Sequence, residues 1–297
     1  CACLVGSEMC IRDRIKRRAK SDKMIGIEEV MQRISLPEEA RKTVRHMGLT
    51  QIAFEAWRTL FYEDMEEFLA RWNQLPDKHA WALGFYIRLA AEVHDRYREK
   101  GIEACVYDQT FYDITIWCKE CYRRHGVYGL EELWWLGQSV KMQLFRLGRL
   151  QFEPIVINKP LQGKNRTIPA GTHVLNVHIP AGTPLNYDEC KESFAWSVRF
   201  FEGEYEAYIC DSWLLSPHLK EMLPPDSNII RFQERFEVVK VHYDYPQAEQ
   251  RIFGEVLEDK ERYPEDTSLR RAAKQYLMKG NDVGIGIGVI DVPYKNI

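Results

Sequence analysis

From Ile27 to about Gln143 the apolar residues recur at helical spacing. Leu36-Pro37-Glu38-Glu39 reads as a helix start, because proline suits the first turn and acids there complement the helix dipole. In TQIAFEAWRTLFYEDMEEFLARW the residues Ile52, Trp57, Leu60, Phe61, Met65, Phe68, Leu69 and Trp72 form one apolar stripe, bent near Asp64. Pro76-Asp77 opens a further segment, AWALGFYIRLAAEVHDRYREKG, which Gly101 closes. Asp108 to His125 forms another, closed by Gly126, and Leu130 to Gln143 continues the pattern.

Near Leu144 the period changes. LFRLGRLQFEPIVI alternates Arg149, Gln151 and Glu153 against Leu150, Phe152 and Ile155, with Gly148 at a turn or bulge. HVLNVHIP and YEAYICDSWLL read as strands, and NYDECKESFAWSVRFF between them as a helix. SNIIRFQERFEVVKVHY is expected to hold one or two more strands. DTSLRRAAKQYLMKG reads as a helix started by Asp266 or Thr267 and stopped by Gly280, and VGIGIGVIDV as a last strand. The expected fold is α+β: a helical N-terminal domain over residues 24–143, then a mixed α/β sheet domain over 144–297.

Composition narrows the possibilities. A formal net charge of -3 over 297 residues, 29% of them charged, argues against a general nucleic-acid binder. No apolar run reaches the length of a membrane span, and no secretory pattern is visible. Eight cysteines are too sparse for a disulfide scaffold and read as reduced thiols of a cytoplasmic protein. Cys3 to Arg14, CLVGSEMCIRDR, resembles translated sequencing-adapter read-through. Residues 1–23 are therefore expected to be a non-native or disordered leader, with Met24 as the start.

Candidate chemistry is scattered. In Val283-Gly284-Ile285-Gly286-Ile287-Gly288-Val289 the glycines leave one face of a strand bare. A bare face admits either a ligand chain or a closely packed helix. Arg270, Arg271 and Lys274 on the preceding helix offer either a phosphate site or a solvated basic face. Cys118-x-x-Cys121-x-x-x-His125 has half of a zinc pattern, but no second half follows, so no metal is expected. His178, Asp211 and Ser212 do not make a hydrolase triad, since Asp211 and Ser212 would point to opposite faces and no GxSxG elbow exists.

Several strings taken together carry a resemblance: YDQTFYDITIWCKECYRRHGVYGL, LFRLGRLQFEP, LNVHIPAGTPL, CDSWLLSPHLKEMLPPDSNIIRFQ and PEDTSLRRAAKQYLMKG. In order and spacing they resemble the bacterial acyltransferases that join an N-acyltransferase N-terminal domain to a GNAT-like C-terminal domain. The resemblance implies acyl transfer from acetyl-CoA or another acyl-CoA to an amine or hydroxyl of a small-molecule acceptor; charge balance and the lack of an apolar span add the expectation of neither nucleic acid nor membrane as partner. The glycine-containing phosphate turn usual in GNAT folds is absent. On this reading His178 is the expected base and Ser212 or Tyr208 the expected acid. Arg270, Arg271 and Lys274, with Gly284, Gly286 and Gly288, are the expected cofactor contacts. The alternative is a GNAT-like module that binds a ligand or regulates without catalysing transfer.

Overall fold

The computed structural model describes residues 25–163, 167–202 and 205–291. The expectation for residues 1–23 lies outside them. The chain divides between Lys141 and Met142 into two compact units.

The first unit is helical. Helices α1 (Ile27–Arg33), α2 (Glu38–His46), α3 (Gln51–Glu63), α4 (Met65–Trp72), α5 (Lys78–Glu99), α6 (Ala104–His125) and α7 (Leu133–Val140) follow one another. The expected bend at Asp64 is a full break. Asp64 has extended backbone, ends α3 and caps α4 by accepting the Glu67 N–H at 2.9 Å. Helix α5 is the axis of the unit and packs on α1, α2, α6 and α7. Its residues Ala82 to Ile87 are all buried, so it is apolar nearly all round. Phe54, Phe61, Phe68 and Phe85 pack with ring centroids 5.4–6.2 Å apart, in tilted or edge-on arrangements that aromatic quadrupoles favour. Ile52 is the exception in the α3 stripe and stands exposed. Among the described residues no helix is long and apolar enough to cross a membrane.

The second unit is built on a sheet. Its strands are β1 (Phe145–Leu147), β2 (Leu150–Val156), β5 (His173–His178), β6 (Ala207–Ser212), β7 (Glu237–His242) and β8 (Ile285–Asp291), in the order β1-β2-β5-β6-β8-β7. A separate small ribbon pairs β3 (Leu161–Gln162) with β4 (Thr167–Ile168). Gly148, with φ +75°, makes the tight turn between β1 and β2. Every neighbouring pair in the large sheet is antiparallel except β5 and β6, which are joined through α8 (Tyr187–Phe200). Helix α8 covers one face, where Phe194 meets Phe152 and Tyr208. The β3–β4 ribbon contributes Leu161 and Ile168 to an apolar cluster with Val174, Ala207, Ile209 and Val289 on the other.

SNIIRFQERFEVVKVHY holds one strand, β7; its SNIIRFQ part forms helix α10 (Asn228–Gln233), after α9 (Leu219–Met222), and Ser227 caps it by accepting the Ile230 N–H. Its apolar residues Ile230 and Phe232 face different neighbours, a pattern that short segments share between helix and strand. Val283 and Gly284 precede β8 rather than belonging to it, and Val283 packs with α11 (Gln247–Phe253) and α12 (Ser268–Met278) instead. Thr267 is the cap that starts α12, accepting the Arg270 N–H.

Candidate active site

Among the described residues, the parallel pair has the shortest ladder of the large sheet. Strands β5 and β6 pair at Leu175–Tyr208 and Asn176–Ile209, and the registered pairing stops there. Their outer edges stay paired further along: His178 lies opposite Gln151 of β2, and Ser212 opposite Gly286 of β8. The registered pairing of the parallel strands thus ends before their C-terminal ends, each of which remains anchored to its antiparallel neighbour. A gap at the C-terminal ends of parallel strands, beside a crossover helix, is where open α/β sheets place ligands.

The chemistry beside this gap lies on the face away from α8. Side chains of Asn176 and His178 share that face, by the two-residue period of a strand, with Glu153 from β2. The His178 Nε2 is 2.8 Å from Glu153 Oε2, and Asn176 Nδ2 donates to the same oxygen at 3.0 Å. Burial alone would raise the Glu153 carboxyl, but the hydrogen bond and charge of His178, with help from Asn176, hold it below the usual carboxylate range. Glu153 thus orients the imidazole, and a quarter of the His178 side chain remains open to solvent. Across the gap, Asp211 of β6 is 3.0 Å from His242 Nε2 of β7.

The turn that follows β5 is held by one side chain. Arg149, at the start of the β2 arm, is only 5% exposed. Its guanidinium donates to the carbonyls of Pro180, Thr183 and Pro184 at 2.9–3.0 Å. With all peptides trans, each N–H points opposite its C=O, so the Ala181 and Leu185 N–H groups turn away from Arg149. The N-terminus of α8 is less inviting to an anion. Asn186 accepts the Asp188 and Glu189 N–H groups, and two acids occupy the first turn. The same turn borders a cavity of about 530 Å³ shared with Glu189, Glu192 and Trp196.

The expected site residues separate. His178 lies at the gap. Tyr208 is fully buried on the opposite face, its hydroxyl 2.6 Å from Ser197 Oγ beneath α8. Ser212 also faces that side, where its Oγ accepts the Leu214 N–H and caps the short 3-10 helix Trp213–Leu215. The structure does not bring either hydroxyl to His178. Gly286 and Gly288 are bare because Leu215 and Phe236 fill the space: a Cβ on Gly286 would lie 2.3 Å from the Leu215 carbonyl oxygen. Gly284, with φ +69°, is closed over by Tyr243 and Val241. No room for a cofactor remains on those glycines. Arg270 is engaged by Asp266 and the Ile252 carbonyl, Arg271 by the Glu265 carbonyl, and Lys274 lies 3.6 Å from the Glu265 carboxylate. These cations are engaged by residues that precede α12 or lie on α11. The sequence pattern marks Glu153 and Arg149 only as polar positions in and beside β2, with no functional role attached. The Glu153–Asn176 register that builds the triad is a tertiary fact, although the alternation at Arg149, Gln151 and Glu153 already set polar residues on one edge.

A sheet with one opening parallel pair, following a helical unit, defines a GNAT-like acyltransferase architecture. Residues 26–142 match the N-acyltransferase N-terminal domain and residues 144–290 the GNAT-like C-terminal domain, and the chain belongs to the family that joins the two. No curated protein matches the sequence. Among solved structures, it is similar to an acyltransferase in complex with decanoyl-CoA and teicoplanin, with 21% identity, TM-score 0.72, and 90% of this chain and 87% of that one covered. The match to an acyltransferase in complex with CoA and 10C-teicoplanin has the same values. A variant acyltransferase with octanoyl-CoA is 20% identical, with TM-score 0.71 over the same shares of both chains. These likenesses establish the fold.

Proposed function

We propose that this protein transfers an acyl group from an acyl-CoA to an amine or hydroxyl of a small molecule, using the gap between β5 and β6. The observation that carries the reading is the parting of this parallel pair beside an imidazole that a carboxylate orients. A thioester arm lying in the gap finds strand-edge backbone groups able to hydrogen-bond it, and peptide N–H groups there polarise the thioester carbonyl. The Ala181 and Leu185 N–H groups, presented by the Arg149-held turn, are the proposed contacts for the cofactor's phosphates. This arrangement replaces the missing glycine signature. Solved relatives with decanoyl-CoA and octanoyl-CoA support a medium-length acyl chain.

The proposed reaction is balanced within the site. His178 takes the proton from the acceptor's N–H or O–H as the nucleophile attacks the thioester carbon. The new acyl–N or acyl–O bond forms, the acyl–S bond breaks, and the proton passes from His178 to the departing thiolate to give free CoA. Glu153 stabilises the imidazolium between these steps. His178 serves as base and then acid, so neither Tyr208 nor Ser212 is needed.

The test combines calorimetry with kinetics. Acetyl-CoA, octanoyl-CoA and decanoyl-CoA are titrated into the protein, and turnover with an amine or hydroxyl acceptor is followed by thiol release. Stoichiometric binding is expected, with turnover at least about 100-fold lower in His178→Ala and CoA affinity within about twofold. Binding with unchanged turnover in the variant would remove His178 from the mechanism. A folded protein that binds no thioester would return the chain to the alternative of a non-catalytic module.

A further inference from the structure

The helical unit holds a second constellation, remote in kind from acyl transfer. His125, the last residue of α6, closes the half zinc pattern Cys118-x-x-Cys121-x-x-x-His125. Its partners in the fold are not the cysteines that precede it. The His125 Nε2 lies 2.7 Å from Glu131 Oε1, and the Nε2 of His79, at the start of α5, lies 3.7 Å from the same oxygen. The three donor atoms all fall within 4.8 Å of one another. The two imidazoles stack, with centroids 4.8 Å apart and planes 30° apart.

We propose that His79, His125 and Glu131 form a binding site for a zinc-class divalent cation that ties the start of α5 to the end of α6. Donors around a tetrahedral zinc lie roughly 3.4 Å apart, given Zn–N and Zn–O lengths near 2.1 Å. The separations of 2.7 and 3.7 Å to the Glu131 oxygen bracket that value, and with all three donor atoms within 4.8 Å of one another a small inward movement of the imidazoles completes the set. Two imidazoles and a carboxylate are borderline ligands that suit zinc, and water fills the fourth position. The scaffold is firm. The Leu130 N–H donates to the His79 carbonyl at 3.0 Å, and Gly129 runs so close that a Cβ there would stand 2.5 Å from the His79 backbone. The other carboxylate oxygen of Glu131 is 3.6 Å from Arg124, which leaves Oε1 to face the histidines. Cys118 and Cys121 are buried thiols whose ionisation burial opposes, pushed up to about 12 and about 11, which favours nitrogen and oxygen donors over sulfur.

The test is zinc chloride titrated calorimetrically into chelator-treated full-length protein at neutral pH, with Co(II) absorption in parallel. One zinc per chain is expected, bound at least about 30-fold more weakly by His125→Gln and by Glu131→Gln. A hundred-fold excess over Kd should raise Tm by roughly 5–10 °C in the wild type and not in either variant. The Co(II) spectrum should lack a thiolate charge-transfer band. Melts in chelator show whether each variant is folded, and the wild-type Co(II) spectrum stands whether or not they are. Absence of stoichiometric zinc, full retention of binding in both variants, or a thiolate band lost in Cys121→Ser would each overturn the site. None of these results bears on acyl transfer.

Discussion

Arg149→Met tests the turn after β5 most sharply. The wild-type guanidinium makes three bonds to carbonyls, at 2.9, 2.9 and 3.0 Å, from a nearly buried position. Bonds from a charged donor contribute about 1.5–3 kcal/mol each in favourable settings. The turn itself is exposed, so water replaces part of what the carbonyls lose, and about 1 kcal/mol each is the better figure. Relief of the buried charge offsets some of this, since desolvation already lowers the Arg149 pKa. The net expectation is a loss of about 2–3 kcal/mol. With m near 2–3 kcal/mol/M that moves the urea midpoint down by about 1 M. Urea unfolding by circular dichroism measures it. The functional signature is separate: KM for acyl-CoA should rise about tenfold or more with kcat within about threefold, because the turn is proposed to hold phosphates and not the reacting atoms. Arg149→Lys keeps the charge but not the fork, and should fall between. A midpoint within about 0.2 M of wild type, or a kcat loss with KM unchanged, would refute the reasoning.

Other expectations follow from the same geometry. Gly286→Ala drives a Cβ into the Leu215 carbonyl and should lower Tm by at least about 5 °C; an unchanged melt would mean the strand face is not packed as described. Tyr208→Phe removes the bond to Ser197 at a cost of about 1 kcal/mol while leaving kcat/KM within about twofold, and a large kinetic loss would place the hydroxyl in the reaction after all. The depressed Glu153 carboxyl contributes stability that is present above the ordinary 4.5 and fades as pH falls through its lower folded value. Glu153→Gln should therefore flatten the stability curve below pH 4.5, and an identical acid limb would contradict the pairing. Among the described cysteines, iodoacetamide should label exposed Cys105 first in the native protein and spare Cys118, Cys121, Cys190 and Cys210, as peptide mass spectrometry would show.

Much of the architecture is written locally. Helix periodicity and stops such as Gly126 mark the first unit, and alternation marks β2, β5 and β6. The limits of such reading are equally physical. SNIIRFQ is short and apolar enough to suit either state, and the Ser227 cap decided it. The glycines of β8 and the cations of α12 each had two readings, and in both cases a neighbour absent from the local pattern chose: Leu215 for Gly286, and Asp266 and Glu265 for Arg270 and Lys274. The polar cluster at the gap depends on the β2–β5 register, which places Glu153 opposite Asn176 and next to His178 although 25 residues separate the pair in sequence. His79 meets His125 by the same kind of tertiary accident, through the packing of α5 on α6.

Hydrogen exchange with and without saturating decanoyl-CoA tests the central claim most directly. Occupation of the gap predicts slowed exchange in the peptides that carry Val177 to Leu185 and Cys210 to Ser212, with β7 and α12 unchanged. Saturable binding that protects α12 and the glycines of β8 instead, or no protection at β5 and β6 at full occupancy, would contradict it.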